Sequence, residues 1–232
     1  MRPADLGIHE GQGATIPGRP VAVSSAMCAI LGAIVLVSSF LINPAPSPGF
    51  STAQLRDFAI QRHNLIVFGA WLQGMGSLLL VLFAFALVHL AGATRRLAGS
   101  ITQLAATVIL MVSLAEITFY LSAAASAEVG DITSGLVSNA LIKAVQHVFL
   151  IAPALLLPLG VVLLDSNVLP TGFAVVGLAI GGALQVLGLI GLFARLQPVI
   201  DTILIVQALW FVAAGSTLLF RVQAVPSLGK VV

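Results

Sequence analysis

Six stretches of this chain are each long and apolar enough to be a membrane span, and no other feature limits the fold as strongly. They run Val21 to Ile42, Leu65 to Leu90, Ile101 to Ala124, Leu141 to Leu164, Thr171 to Phe193 and Ile200 to Phe220. Crossing about 30 Å of hydrocarbon at about 1.5 Å per residue takes about 20 residues, which each stretch supplies. Inside hydrocarbon every backbone N–H and C=O must be satisfied by the protein itself, so a spanning segment is a helix or a strand of a closed barrel. Barrel strands are shorter and alternate in polarity, a pattern absent here. The breaks carry turn formers: Asn43-Pro44 with Pro46, Pro48 and Gly49; Arg95-Arg96; Gly130-Asp131; Asp165-Ser166-Asn167 with Pro170; and Arg195 with Pro198. The expected fold is therefore all-α, a polytopic membrane protein with six transmembrane helices in one bundle over residues 21–221. A polar tail, residues 1–20, is expected to be disordered, and residues 222–232 form a short C-terminal tail.

Charge agrees with that solvent. Only 8% of the 232 residues are charged, against roughly 25% in a soluble domain, so a soluble fold is excluded. The ten Lys and Arg residues are scattered and make no basic patch, so nucleic acid is not an expected partner. The lipid bilayer is, and the expected location is a membrane, the plasma or inner membrane in a bacterium. Six spans put both termini on one side. Arg2, Arg19, Arg95, Arg96, Arg221 and Lys230 fall on that side, against Arg56, Arg62, Lys143 and Arg195 on the other. The excess places both termini in the cytoplasm. The first apolar run exceeds the roughly 7–15 residues of a signal-peptide core, and no small-x-small cleavage site follows, so it reads as a retained span. The single cysteine, Cys28, lies within it and reads as a packing residue.

Two connections on the outer side are expected to be helical. Ser51 and Gln54 have the spacing of a capping box, and no helix breaker follows before Asn64. An unbroken helix from Ser51 to Ala91 would measure about 60 Å, twice the hydrocarbon thickness, so it projects outward or bends near His63-Asn64. The stretch after Asp131 starts the fourth helix early in the same way. Together these extensions would form a cap over the outer face.

The fifth span carries Gly177, Gly181, Gln185 and Gly188 on one face, and such small-residue stripes let helix backbones approach closely. Tight packing inside the bundle is the expected use. A homo-oligomer contact or a membrane-protein partner is the other. Pro153 and Pro158 are expected to kink the fourth span. Trp71 with Gly76-Ser77 and Leu79-Leu80 repeats in the spacing of Trp210 with Gly215-Ser216 and Leu218-Leu219, but nothing around them matches. Trp71 and Tyr120 suit an outer aromatic belt, and Gln207, one turn before Trp210, is the expected partner of that indole N–H.

Ionisable side chains within spans cost about 2.5–3.5 kcal/mol each on insertion scales, so each one needs a reason. Glu116 is the sole deep carboxylate, and His147 is the titratable residue of comparable depth. Glu116 lies eight residues before the end of an outward helix and His147 six residues into the following inward one, so the two can pair in the outer third of the membrane. Tyr120, Lys143 and Gln146 lie alongside, and Arg62, His63 and Gln73 are expected to reach the cluster from the second helix.

Three uses of that cluster stay open. In the first, Glu116 and His147 neutralise each other as structural glue. Alternatively they hold a small molecule or proton, with Glu116 carrying the proton, His147 as its partner and Lys143 or Arg62 attracting an anionic group. The third use is a redox site. A b-type haem is disfavoured because His63 lies at the boundary, His147 deeper and His89 on the far side, so no two histidines match in depth. No cofactor or metal is expected. A His-Glu-x-x-His motif, a Gly-x-Ser-x-Gly elbow and a P-loop are all absent, so the chain leans away from an enzyme. The function expected is that of an integral multi-pass membrane protein binding or transporting a small molecule or proton around Glu116 and His147. Its rivals are an accessory or scaffold subunit packing through the glycine-rich fifth helix and, less favoured, a haem- or quinone-linked membrane protein.

Overall fold

Every regular element among the described residues is a helix. The computed structural model describes residues 19–43, 46, 50–151, 155–191 and 197–224. They form α1 (Arg19–Ile42), α2 (Thr52–Gln61), α3 (His63–Leu90), α4 (Leu97–Val129), α5 (Ile132–Ile151), α6 (Leu156–Leu164), α7 (Thr171–Gly191) and α8 (Gln197–Ala224). Five of these, α1, α3, α4, α7 and α8, contain stretches long and apolar enough to cross a membrane. Large apolar side chains such as Phe40, Leu41, Leu104, Met111, Leu189 and Leu209 point away from the bundle. In water such a surface would aggregate; against lipid tails it is the matched one.

Of the fourth expected span, Leu141 to Leu164, the described residues form the end of α5 and all of α6; residues 152–154 between them, Pro153 included, lie outside the described residues. Pro158 does not kink a helix; it sits in the first turn of α6, which starts at Leu156. An N–H there would have no intrahelical acceptor, so proline removes nothing from that turn. The polar tails also end earlier than expected: Arg19 and Pro20 open α1, and Val222 to Ala224 close α8. Residues 1–18 and 225–232, the rest of both tails, lie outside the described residues.

α1 packs on its neighbours through small residues. Ala22, Ala26, Ala29 and Ala33 recur every three to four positions and all are buried, giving a face on which α3 and α8 both pack. Glycines bring those neighbours close. A Cβ added at Gly76 would stand 2.7 Å from the Leu36 backbone N, and one at Gly215 would stand 2.8 Å from Ala29 Cβ. The two glycines of the short repeat thus do the same work on α1. Its two tryptophans do not: Trp71 is 58% exposed and stacks on Phe68, while Trp210 is 5% exposed. Phe83 and Phe211 meet edge to face at 6.1 Å in the core.

The glycine-rich α7 is covered from within the chain. Gly177, Gly181 and Gly188 are buried, and Gln185 is half-buried. Gly181 lies against α6, where an added Cβ would stand 2.8 Å from the Leu157 backbone N, and the Trp210 indole of α8 lies over Gly177. The indole N–H donates to the Phe173 carbonyl at 3.0 Å. Gln207, the expected partner, is therefore not the acceptor; the absence of a side chain at Gly177 lets the ring reach the backbone one turn earlier on α7.

Two distinct ends result. At one, Arg96 lies 3.9 Å from Asp165, and Arg221 donates to the Asn167 and Val168 carbonyls at 2.8 and 3.2 Å. At the other, α2 rests on α4 and α5 as a cap.

Candidate functional site at the α3–α4 seam and the cap

Polar side chains meet in pairs along the antiparallel seam of α3 and α4. Gln73 Nε2 donates to Glu116 Oε2 at 2.6 Å, and one turn further from the cap the Ser77 and Ser113 hydroxyls share a hydrogen bond of 2.9 Å. All four residues are buried, Glu116 to 7% exposure. The spacing explains the ladder: residues 73 and 77 lie one turn apart on α3, and residues 113 and 116 one turn apart on α4, so both rungs fall on one line of contact. A hydrogen bond to a charged group contributes about 1.5–3 kcal/mol, comparable with the insertion cost of about 2.5–3.5 kcal/mol for a carboxylate. Gln73 thus offsets much of what placing Glu116 in this seam costs.

Of the other residues expected around Glu116, Tyr120 lies one turn toward the cap on the same helix. Arg62 and His63 do not join it. His63 is ten residues before Gln73, about 15 Å along the helix axis. It pairs instead with the end of α4, its Nδ1 standing 3.1 Å from Glu128 Oε1, though without hydrogen-bond alignment. Arg62 is exposed at the break between α2 and α3, with φ −107° and ψ 9°. This break is the bend expected near His63-Asn64. Lys143 is exposed on α5. The side chains of Gln146 and His147 lie outside the described residues, and so does the expected Glu116–His147 pair.

Local sequence builds the cap. Ser51 accepts from the Gln54 N–H at 3.4 Å while Gln54 Oε1 accepts from the Ser51 N–H at 2.8 Å, the reciprocal capping box that starts α2. Gly130, at φ 74°, ends α4; its N–H bonds the Ala127 carbonyl and the Asp131 N–H bonds that of Ser126, a Schellman closure that needs a left-handed residue. Asp131 then caps α5, accepting from the Ser134 hydroxyl at 2.6 Å and the Ser134 N–H at 3.1 Å. The hydroxyl first and the N–H second hold its carboxyl below the usual carboxylate range. The α4–α5 turn is therefore only two residues long, and Ser138 bonds Ser122 across it at 2.9 Å.

Beneath α2 lies a cavity of about 90 Å³, walled by α2, α4 and α5. Its wall is mainly apolar, including Leu55, Phe58, Ile66, Ala124 and Ile142, with Asn43, Arg56, Tyr120, Asp131 and Asn139 as polar members. Tyr120 joins this cavity to the seam, one turn from Glu116.

Arg56, Asp131 and Asn139 were not singled out in the sequence. Arg56 resembles any other cation of an amphipathic surface helix, and only the fold of α2 onto α4 puts it at a cavity. Among the described residues no group of three or more His, Cys, Asp or Glu could hold a metal ion. No family model, curated protein or solved structure matches this chain.

Proposed function

We propose that this integral multi-pass membrane protein holds a proton or a small polar ligand at Glu116, reached from the cap end through the space beside Tyr120. The observation that carries this reading is the 2.6 Å hydrogen bond between Gln73 and Glu116, a buried carboxyl in the α3–α4 seam. An acidic side chain kept inside a span is costly, and by default such a residue marks an ion or substrate path. The cap cavity supports the direction of access, because its Tyr120 wall begins one turn from the carboxyl. With six spans and the positive-inside excess, the cap faces outward and both termini lie in the cytoplasm. For the rival scaffold role, packing through the α7 glycines, Gly177 and Gly181 already lie against Trp210 and Leu157 of the same chain, which favours the ligand reading.

Labelling with dicyclohexylcarbodiimide tests the reading, since this apolar reagent modifies carboxyls that exchange a proton and are reached from the bilayer. The purified protein in lipid nanodiscs should take up the reagent at Glu116, as located by peptide mass, and Glu116→Gln should abolish that adduct. An unreactive Glu116 at every pH, in protein that remains folded, would leave the residue as structural glue and sink the proposal.

A further inference from the structure

We infer that the cap cavity is a binding site for a small zwitterion with an apolar body, its anionic group on Arg56 and its ammonium on Asp131. The inference deepens the reading above and rests on it for what the ligand does near Glu116, though not for the binding itself.

Two opposite charges line this one cavity without pairing with each other. Arg56 enters from α2 and Asp131 from the α4–α5 turn, and both are exposed at the rim. No ion pair within 4.0 Å joins them, and among the described residues no hydrogen bond or ion pair reaches Arg56. Its Nη2 lies beside the α4–α5 turn, 3.6 Å from where a Cβ on Gly130 would stand. That position is the C-terminal end of α4, where the helix dipole favours a cation. Asp131 is fixed from the other side by Ser134, whose two donors leave lone pairs of the carboxylate free. Elsewhere in the cap, His63 Nδ1 stands 3.1 Å from Glu128 Oε1, away from this pair. Arg56 and Asp131 are thus an unpaired cation and a hydrogen-bonded anion lining one space.

Between and below them the wall is apolar, formed by Leu55, Phe58, Ile66, Ala124, Leu136 and Ile142. A pocket that is mostly apolar with a few placed polar groups selects an amphiphile and orients it. A purely anionic ligand would face Asp131, and a purely cationic one would face Arg56. A zwitterion satisfies both, and the volume of about 90 Å³ limits its body to a few carbon atoms within the cavity. A free apolar amino acid has this chemistry, and so does the headgroup of phosphatidylethanolamine.

The test uses the full chain in phosphatidylglycerol nanodiscs, with leucine, N-acetyl-leucine and leucine methyl ester as probes in equilibrium binding. Leucine should bind about tenfold or more tightly than either analogue, the ratio expected when one charge-assisted contact is lost. Arg56→Gln should erase the preference over the methyl ester, and Asp131→Asn, which keeps the helix cap, should erase the preference over the N-acetyl form. Adding phosphatidylethanolamine separates the sources: displacement of leucine assigns the site to a lipid headgroup, and no displacement assigns it to the free amino acid. Equal binding of all three probes, no binding of either zwitterion, or preferences unchanged in both variants overturns the inference. If Glu116 fails to react with the carbodiimide while leucine still binds through Arg56 and Asp131, the proton-site reading falls and this inference stands. The reverse outcome overturns the inference alone.

Discussion

Gln73 on α3 donates its amide N–H to Glu116 on α4 across 2.6 Å, tying together the two helices that flank the seam. Gln73→Leu removes the donor and leaves the carboxylate without it, whereas the double variant Gln73→Leu/Glu116→Leu removes both polar groups. A double-mutant cycle of unfolding in detergent should return a coupling of about 0.5–2 kcal/mol, the range for hydrogen bonds between membrane helices. The double variant should be more stable than Gln73→Leu alone, because it leaves no buried carboxyl that has lost this donor. A coupling of zero would mean that the bond contributes nothing to the seam.

Gly181 and Gly182 are neighbours on α7 with opposite surroundings. A Cβ at Gly181 would stand 2.8 Å from the Leu157 backbone N, while one at Gly182 would meet only Leu157 Cδ2 at 4.0 Å. Gly181→Ala should therefore force α6 and α7 apart and cost about 1–3 kcal/mol. Gly182→Ala should be neutral or stabilising by up to about 1 kcal/mol, since alanine loses less backbone freedom in a helix. Thermal unfolding of the two variants side by side checks the sign, and equal destabilisation would show that the close approach is not what decides.

These examples mark how far the sequence could be read. Helix positions were legible because an apolar run in hydrocarbon has one backbone solution, and the ends were legible from Asn43, Gly130 and the Ser51-Gln54 pair. The start of α6 at Leu156 was not, because the apolar run continues unbroken across it. Glu116 stood out as a carboxylate in a span, but its described partner is Gln73, one of several polar residues within reach by helix spacing. Depth sorted them: His63 lies too far along α3 and finds Glu128 instead. The alanines of α1 were legible at spacings of four, three and four, yet alanine is so common in apolar helices that the stripe did not separate from its background. Arg56 and Asp131 stood in the sequence only as an outer-side cation and a turn residue, since their meeting at one cavity depends on how α2 folds back onto α4 and α5.

Trp210 is held by a backbone carbonyl rather than by a side chain. Trp210→Phe keeps the ring packing against Phe173 and Phe211 but loses the 3.0 Å bond to the Phe173 carbonyl. It should cost about 1 kcal/mol, the net value of one such bond, plus the lost area of the larger ring. Gln207→Leu should leave the Trp210 emission spectrum unchanged when recorded in a Trp71→Phe background. A clear spectral shift on Gln207→Leu would restore Gln207 as the partner of the indole.

The cap of α5 should respond to acid through Asp131. Its carboxyl is held below the usual value in the folded protein, mainly by the Ser134 hydroxyl and then by the Ser134 N–H. A group with a lowered folded value stabilises the fold fully above its unfolded value, about 3.9 for Asp, and loses that contribution as pH falls through the lower folded value. Protection of the Ser134 amide against hydrogen exchange should therefore hold down to about pH 4 and decline below it. Ser134→Ala removes the hydroxyl donor but keeps the backbone one, so the Asp131 titration, followed by the carboxyl carbon shift in NMR, should move up toward the unfolded value without reaching it. An unchanged titration in Ser134→Ala would mean that the hydroxyl does not hold the carboxylate and that the backbone N–H alone sets the cap.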